Sequence, residues 1–169
     1  MWLDKYREQY PELTIIEDTK MENTHKGLYY NKHIFVNPNQ SDVEMRCTLA
    51  EEIGHHHLTV GNIIKQETVN DRKQEKLARN WGYESLVPLR KIIDAYYEGF
   101  TEYYEVAEYL EVTEDFLKHS IEYYKNKYGN TVECNGYVII FRSTFKLLLV
   151  RYLHYCVYIK YNKGREMNE

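Results

Sequence analysis

Glu51, Glu52, His55 and Glu75 have the residue types and spacing best suited to chemistry in this 169-residue chain. Glu51 and His55 lie four apart within Leu49-Ala-Glu-Glu-Ile-Gly-His-His-His-Leu58. On a helix, residues four apart project from adjacent turns of one face, so both side chains can reach one cation. Glu52 falls about 100° round from Glu51 and roughly 60° from His55, flanking such a cation rather than facing it. This is the arrangement of the HExxH zinc-protease motif, whose two histidines bind zinc and whose glutamate is the general base. Here a glutamate, Glu51, stands at the first histidine position.

A catalytic zinc takes three protein ligands and keeps a fourth position for water. Glu75 is the candidate for the third. On a helical projection Glu75, Ala78, Gly82 and Leu86 fall within an arc of roughly 80°. The two small residues on that stripe would let a returning helix approach the first closely and aim Glu75 at the Glu51/His55 pair. His56, about 40° from Glu52, offers a second register as a Glu52/His56 pair. His57 points to the other side, as a surface or packing histidine, and Cys47 reads as a small buried apolar residue. The competing reading of Glu51, His55 and Glu75 is a salt-bridged pair of solvated helices, which leaves the small-residue stripe without a purpose. His25, His33, His119 and His154 have no assigned role.

The elements that must carry these groups follow from caps and punctuation. Ser41-Asp-Val-Glu44 is a capping-box pattern that opens a helix running to about Leu58. A loop follows, then a second helix from about Asn70 to Val87 that stops before Pro88. Upstream, Trp2 to Tyr10 reads as a short amphipathic helix and Leu13–Ile16 as a strand. Gly27 to Pro38 reads as a hairpin about Asn31-Lys32. Its second strand, His33–Val36, reads equally as an edge strand able to hold an extended peptide over the active-site helix or as an ordinary sheet strand packing on that helix. Downstream, residues 89–99 are helical, and Thr101 and Thr113 are candidate N-caps of helices at about 102–110 and 114–127. A late hairpin at about 131–141 turns at Asn135-Gly136.

Two runs together resemble the ImmA/IrrE-type metallopeptidases of bacteriophages and mobile elements. One is Leu49-Ala-Glu-Glu-Ile-Gly-His55. The other, Glu75-Lys-Leu-Ala-Arg-Asn-Trp-Gly-Tyr-Glu-Ser-Leu-Val-Pro88, follows E-x-x-A-x-x-aromatic-small-x-E-x-L-x-P. The likeness spans roughly residues 25 to 128. It implies an α+β, zincin-like fold: a small sheet, an active-site helix, a second ligand-bearing helix and a helical extension over about 89–128. It also implies a metal-dependent peptidase, or peptidase-like anti-repressor, acting on a repressor-type transcriptional regulator in the cytoplasm. By that resemblance His55 matches the second histidine ligand, Glu52 the general base and Glu75 the downstream acidic ligand. Glu51 matches the first ligand and departs from the usual histidine. The cofactor would be one divalent ion, zinc first, with manganese or iron open.

That departure has a chemical consequence. Two carboxylates and one imidazole cancel the ion's two positive charges, so the metal is a weaker Lewis acid. Slow, specific cleavage is expected, or inactivation of the partner by binding alone.

Composition bounds the rest. With 43% apolar and 28% charged residues, a metal is not needed merely to hold the chain together. Three separated cysteines and no signal-peptide pattern point to a reducing, cytoplasmic setting. A net charge of −4 argues against a dedicated nucleic-acid binder. The helix pair around Val106–Phe116 has a helix-turn-helix cadence. Yet Thr101 to Tyr128 holds seven acidic residues against three lysines, a poor surface for phosphate. The expected domain spans 1–141, and 142–169 is set apart as a basic, apolar tail of unknown role. Between Arg142 and Arg165 that tail has six Lys or Arg and no Asp or Glu, and its apolar run is too short to span a bilayer.

Overall fold

The structure is a computed structural model that describes residues 2–58, 69–141 and 147–151. The chain resolves into two compact units, Met1–Leu86 and Val87–Glu169. Both mix helices with a three-stranded sheet, so the fold class is α+β as expected.

In the first unit, helix α1 (Trp2–Gln9) leads into strand β1 (Thr14–Glu17), one residue later than the apolar run suggests. Strands β2 (Gly27–Tyr30) and β3 (His33–Val36) form the expected hairpin. Its two-residue turn is Asn31-Lys32, with φ of 45° and 67°, the left-handed pair that matches strand twist. The sheet order is β1-β3-β2, with β1 parallel and β2 antiparallel to β3. This overturns the edge reading of His33–Val36 and leaves the ordinary-strand one: β3 is central, paired on both sides, and β1 and β2 are the edges. The hairpin is written locally in the turn, whereas the parallel pairing with β1 joins Ile15 to Ile34 across a long loop that hairpin spacing cannot report.

Helix α2 (Asp42–Leu58) begins at the expected capping box. The Glu44 N–H donates to Ser41 Oγ at 3.3 Å, and the Ser41 N–H donates to Glu44 Oε2 at 3.0 Å. Met45, Leu49 and Ile53, at helical spacing, bury one stripe of α2 against Ile15, Ile34 and Val36 of the sheet and Leu3 of α1. Full burial of each such aliphatic side chain contributes about 1.5–3 kcal/mol. Helix α3 (Val69–Leu86) returns beside α2, and Trp81 packs on the same core. Of the loop expected over 59–69, Val69 opens α3 and 59–68 lie outside the described residues.

In the second unit, α4 (Leu89–Tyr97), α5 (Tyr103–Leu110) and α6 (Glu114–Tyr128) precede strands β4 (Thr131–Cys134), β5 (Tyr137–Phe141) and β6 (Leu147–Arg151). Thr113 caps α6 as expected, accepting the Phe116 N–H at 3.1 Å. Thr101 does not cap α5. Glu102 is the N-cap, and the Glu105 carboxylate accepts the N–H groups of both Thr101 and Glu102. Asn135-Gly136 makes the late turn, with φ of 51° and 77°. Strand β6 pairs antiparallel with β5, so part of the segment set apart as a tail completes this sheet.

A candidate metal centre on two helices

The crossing of α2 and α3 is built from residues without bulk. A Cβ at Gly54 would strike the carbonyl oxygen of Ala78, and one at Gly82 would meet the backbone of Ala50 and Glu51 at 3.4–3.5 Å. The Ala78/Gly82 stripe foreseen in the sequence is therefore the contact surface, and it brings two helix backbones close enough for short side chains to meet.

They do meet. His55 Nε2 lies 3.1 Å from Glu75 Oε2, with only 13% and 17% of the two side chains exposed. Two ligand atoms on a tetrahedral zinc, at bonds of about 2.0–2.1 Å, stand roughly 3.3 Å apart. The pair is thus already at ligand spacing, and a nitrogen–oxygen donor set suits zinc, manganese or iron. Glu51 is half-buried one turn before His55 and within electrostatic reach of both partners. As they stand, no three His, Cys, Asp or Glu side chains among the described residues form a group that could hold an ion. The fold brings His55 and Glu75 into contact, and Glu51 is linked to them by electrostatics without completing a group of three.

Electrostatics marks this as a place that calls for positive charge. Burial works to lower the His55 pKa, but the hydrogen bond to Glu75 and the charges of Glu52, Glu75 and Glu51 outweigh it and hold it above the ordinary histidine value. The His55 hydrogen bond holds the Glu75 carboxyl below its usual range. Burial pushes Glu51 up, with Arg79 pulling the other way. Glu52 is withdrawn furthest from water. Burial pushes it up to about 7; His55 opposes this, and Glu51 and Glu75 add to it. A carboxyl poised near neutrality can take and return a proton.

Glu52 is also seated by the sheet. The Asn37 N–H donates to the Lys26 carbonyl, and Tyr30 pairs with His33 across the turn. By antiparallel alternation the Gly27 and Tyr29 amides then point away from β3. The Tyr29 N–H is a hydrogen-bond donor to the Glu52 carboxylate. Gly27 makes room for this: a Cβ there would stand 2.8 Å from Glu52 Oε1. Neither residue was singled out from the sequence, because the contact depends on which strand becomes the edge.

The two histidines that follow His55 pack elsewhere. His56 Nδ1 lies 3.1 Å from the Tyr29 hydroxyl, which accepts the Lys32 N–H at 3.3 Å and so offers its own proton to His56. His56 Nε2 is 3.6 Å from Glu12 Oε1. These partners tie His56 to the sheet and leave the Glu52/His56 register unused. His57 packs on Trp81 and Tyr10, as a packing histidine does. Cys47 is buried. Arg79 was also missed in sequence; its Nη2 is 2.7 Å from Glu75 Oε1. Its signal was available: an acid followed four residues later by a base on one helix face.

Searches of curated proteins and of solved structures each return no significant match. A peptidase family model described as the IrrE N-terminal-like domain matches residues 8–122, a span that runs from the end of α1 through the first sheet, α2, α3, α4 and α5 into α6. With most of the chain matched and the paired motifs meeting at one helix crossing, this protein belongs to the IrrE N-terminal-like peptidase family.

Proposed function

We propose that this chain is a metal-dependent peptidase, zinc being its first choice of ion, that disables a repressor-type regulator in the cytoplasm. The observation that carries the reading is the His55–Glu75 contact of 3.1 Å across a crossing stripped of side-chain bulk. Glu51, His55 and Glu75 would hold the ion after a side-chain adjustment by Glu51. A bound zinc supplies Lewis acidity toward a peptide carbonyl and acidifies water. Glu52 takes the proton of the attacking water and hands it to the leaving amine. Its seat against β2 keeps that carboxyl at the sheet's edge, where an extended peptide can add by strand pairing.

Two carboxylate ligands weaken the Lewis acid, so turnover is slow and selective rather than broad. On α5 and α6 the turn and first-turn side chains Glu108, Glu111, Glu114 and Asp115 give phosphate little attraction, and direct DNA binding is not part of this reading. No helix among the described residues is long and apolar enough to cross a membrane.

Metal analysis tests the site and repressor cleavage tests the chemistry. Purified protein is expected to carry about one zinc per chain, and Glu75→Ala to lose affinity by more than roughly a hundredfold. Glu52→Gln should keep the ion and leave the repressor uncut and active. If the variant still inactivates an intact repressor, the mode of action is binding rather than cleavage. A wild type that takes up no zinc, manganese or iron would sink the reading.

A further inference from the structure

Arg79 is specified by neither motif, yet it closes the charge balance of the site. Its guanidinium grips Glu75 Oε1 at 2.7 Å, while Glu75 Oε2 meets His55 Nε2 at 3.1 Å. The carboxylate is therefore held on both oxygens, from its own helix and from the facing one. On α3, Arg79 lies between Glu75 and Gly82, and Gly82 abuts the backbone of Ala50 and Glu51. That sets Arg79 one turn along α3 from the glycine that abuts Glu51. Of all the charged groups around Glu51, Arg79 acts on it most strongly.

The charge count explains why this matters. A divalent ion held by two imidazoles and one carboxylate keeps a net charge of +1. Held by Glu51, His55 and Glu75 it would keep none, and one fixed guanidinium restores the difference. Without an ion, the same guanidinium offsets the crowding of Glu51, Glu52 and Glu75 around a single imidazole.

We propose that Arg79 is the positioning residue that allows a glutamate to stand at position 51: it fixes Glu75 so that Oε2 faces His55, and it offsets the additional carboxylate. The purpose of this arrangement rests on the metal-site reading, but its test does not. Urea unfolding of the metal-free full chain at pH 8 is followed by the fluorescence of Trp2 and Trp81. These are the chain's two tryptophans, and both lie in the Met1–Leu86 unit. The cycle compares the wild type with Arg79→Gln, Glu51→His and the double variant. Arg79 is half exposed, so its replacement is compatible with folding. The expected result is a fall in midpoint for Arg79→Gln at least about twice as large beside Glu51 as beside a histidine at that position. Arg79→Lys, which keeps the charge and loses the fork, should recover part of the fall.

Equal falls in the two backgrounds would overturn the proposal, since an ordinary four-apart surface pair is indifferent to residue 51. No fall beside Glu51, or a larger one beside histidine, would overturn it too. Zinc calorimetry on the unvaried chain runs in parallel. A coupled cycle without zinc uptake sinks the metal reading and leaves Arg79's role standing. Zinc uptake with an additive cycle does the reverse.

Discussion

The two units each contain a close helix pair, and the pairs are built on opposite principles. Between the adjacent helices α5 and α6 the buried residues are apolar: Val106, Ala107 and Leu110 on one, Phe116, Leu117 and Ile121 on the other. The polar atoms inside are satisfied locally, as when Ser120 Oγ donates to the Phe116 carbonyl at 2.8 Å. The ion pairs of α6 stay outside, in Lys118 with Glu114 and Asp115. Between α2 and α3 the bulk is removed. Ala50, Gly54, Ala78 and Gly82 let the backbones close, and the space at the end of that contact holds Glu51, His55 and Glu75 instead of leucines. Removing apolar volume and half-burying carboxylates both cost stability. A folded chain keeps such features where function requires them. The contrast separates a helix pair selected for packing from one selected for a site.

The largest effect that sharpens this contrast lies in the packing pair. Leu117 is fully buried, and Leu117→Ala should cost about 2–5 kcal/mol while leaving zinc stoichiometry unchanged. Circular dichroism of urea unfolding, paired with metal analysis, checks both halves of the statement. Loss of zinc in that variant would show that the two pairs are not independent in function.

Gly54→Ala is the matching insult to the other pair. The new methyl meets a backbone carbonyl that no rotamer change can move aside, so about 3 kcal/mol of destabilisation is expected. Zinc affinity should fall with it, because the helices must separate and the His55–Glu75 contact lengthens. Retained affinity would mean that the close crossing does not position the ligands.

Glu52→Gln should move stability the other way in metal-free protein. The folded-state pKa of Glu52 is raised to about 7, so folding holds that proton more tightly than the unfolded chain does. The penalty is absent below the ordinary carboxylate pKa and complete once pH has risen past about 7. The variant should therefore gain nothing near pH 4, and on the order of 2 kcal/mol at pH 8. Tryptophan fluorescence in urea at the two pH values decides it. A gain at both would point to packing rather than charge.

The smallest expected effect concerns the helix starts, where the pairs are alike. Both α2 and α5 open with a capping box whose acid reaches back to the N-cap amide. Glu44→Ala and Glu105→Ala should each cost about 0.5–1 kcal/mol at neutral pH. The Ser41 N–H and hydroxyl hold the Glu44 pKa below its ordinary value. Its contribution is thus complete above the ordinary carboxylate pKa and is lost as pH falls through the lower, folded value. The cost of Glu44→Ala should shrink toward zero in acid.

Much of this protein is legible residue by residue because the deciding physics is local. Ser41 and Glu44 set where α2 begins, Thr113 where α6 begins, and Asn31-Lys32 and Asn135-Gly136 where two chains of β-prone residues reverse. The spacing of Glu75, Ala78 and Gly82 already encodes a helix face that can touch another. Tertiary structure decided the rest. The parallel pairing of β1 with β3 made β2 an edge, which put the Tyr29 amide, rather than one from His33–Val36, at the Glu52 carboxylate. The same assembly brought His55 to Glu75 and set the Arg79 charge within electrostatic reach of Glu51. Strand order and burial depend on contacts between residues far apart in the chain, and no local spacing records them.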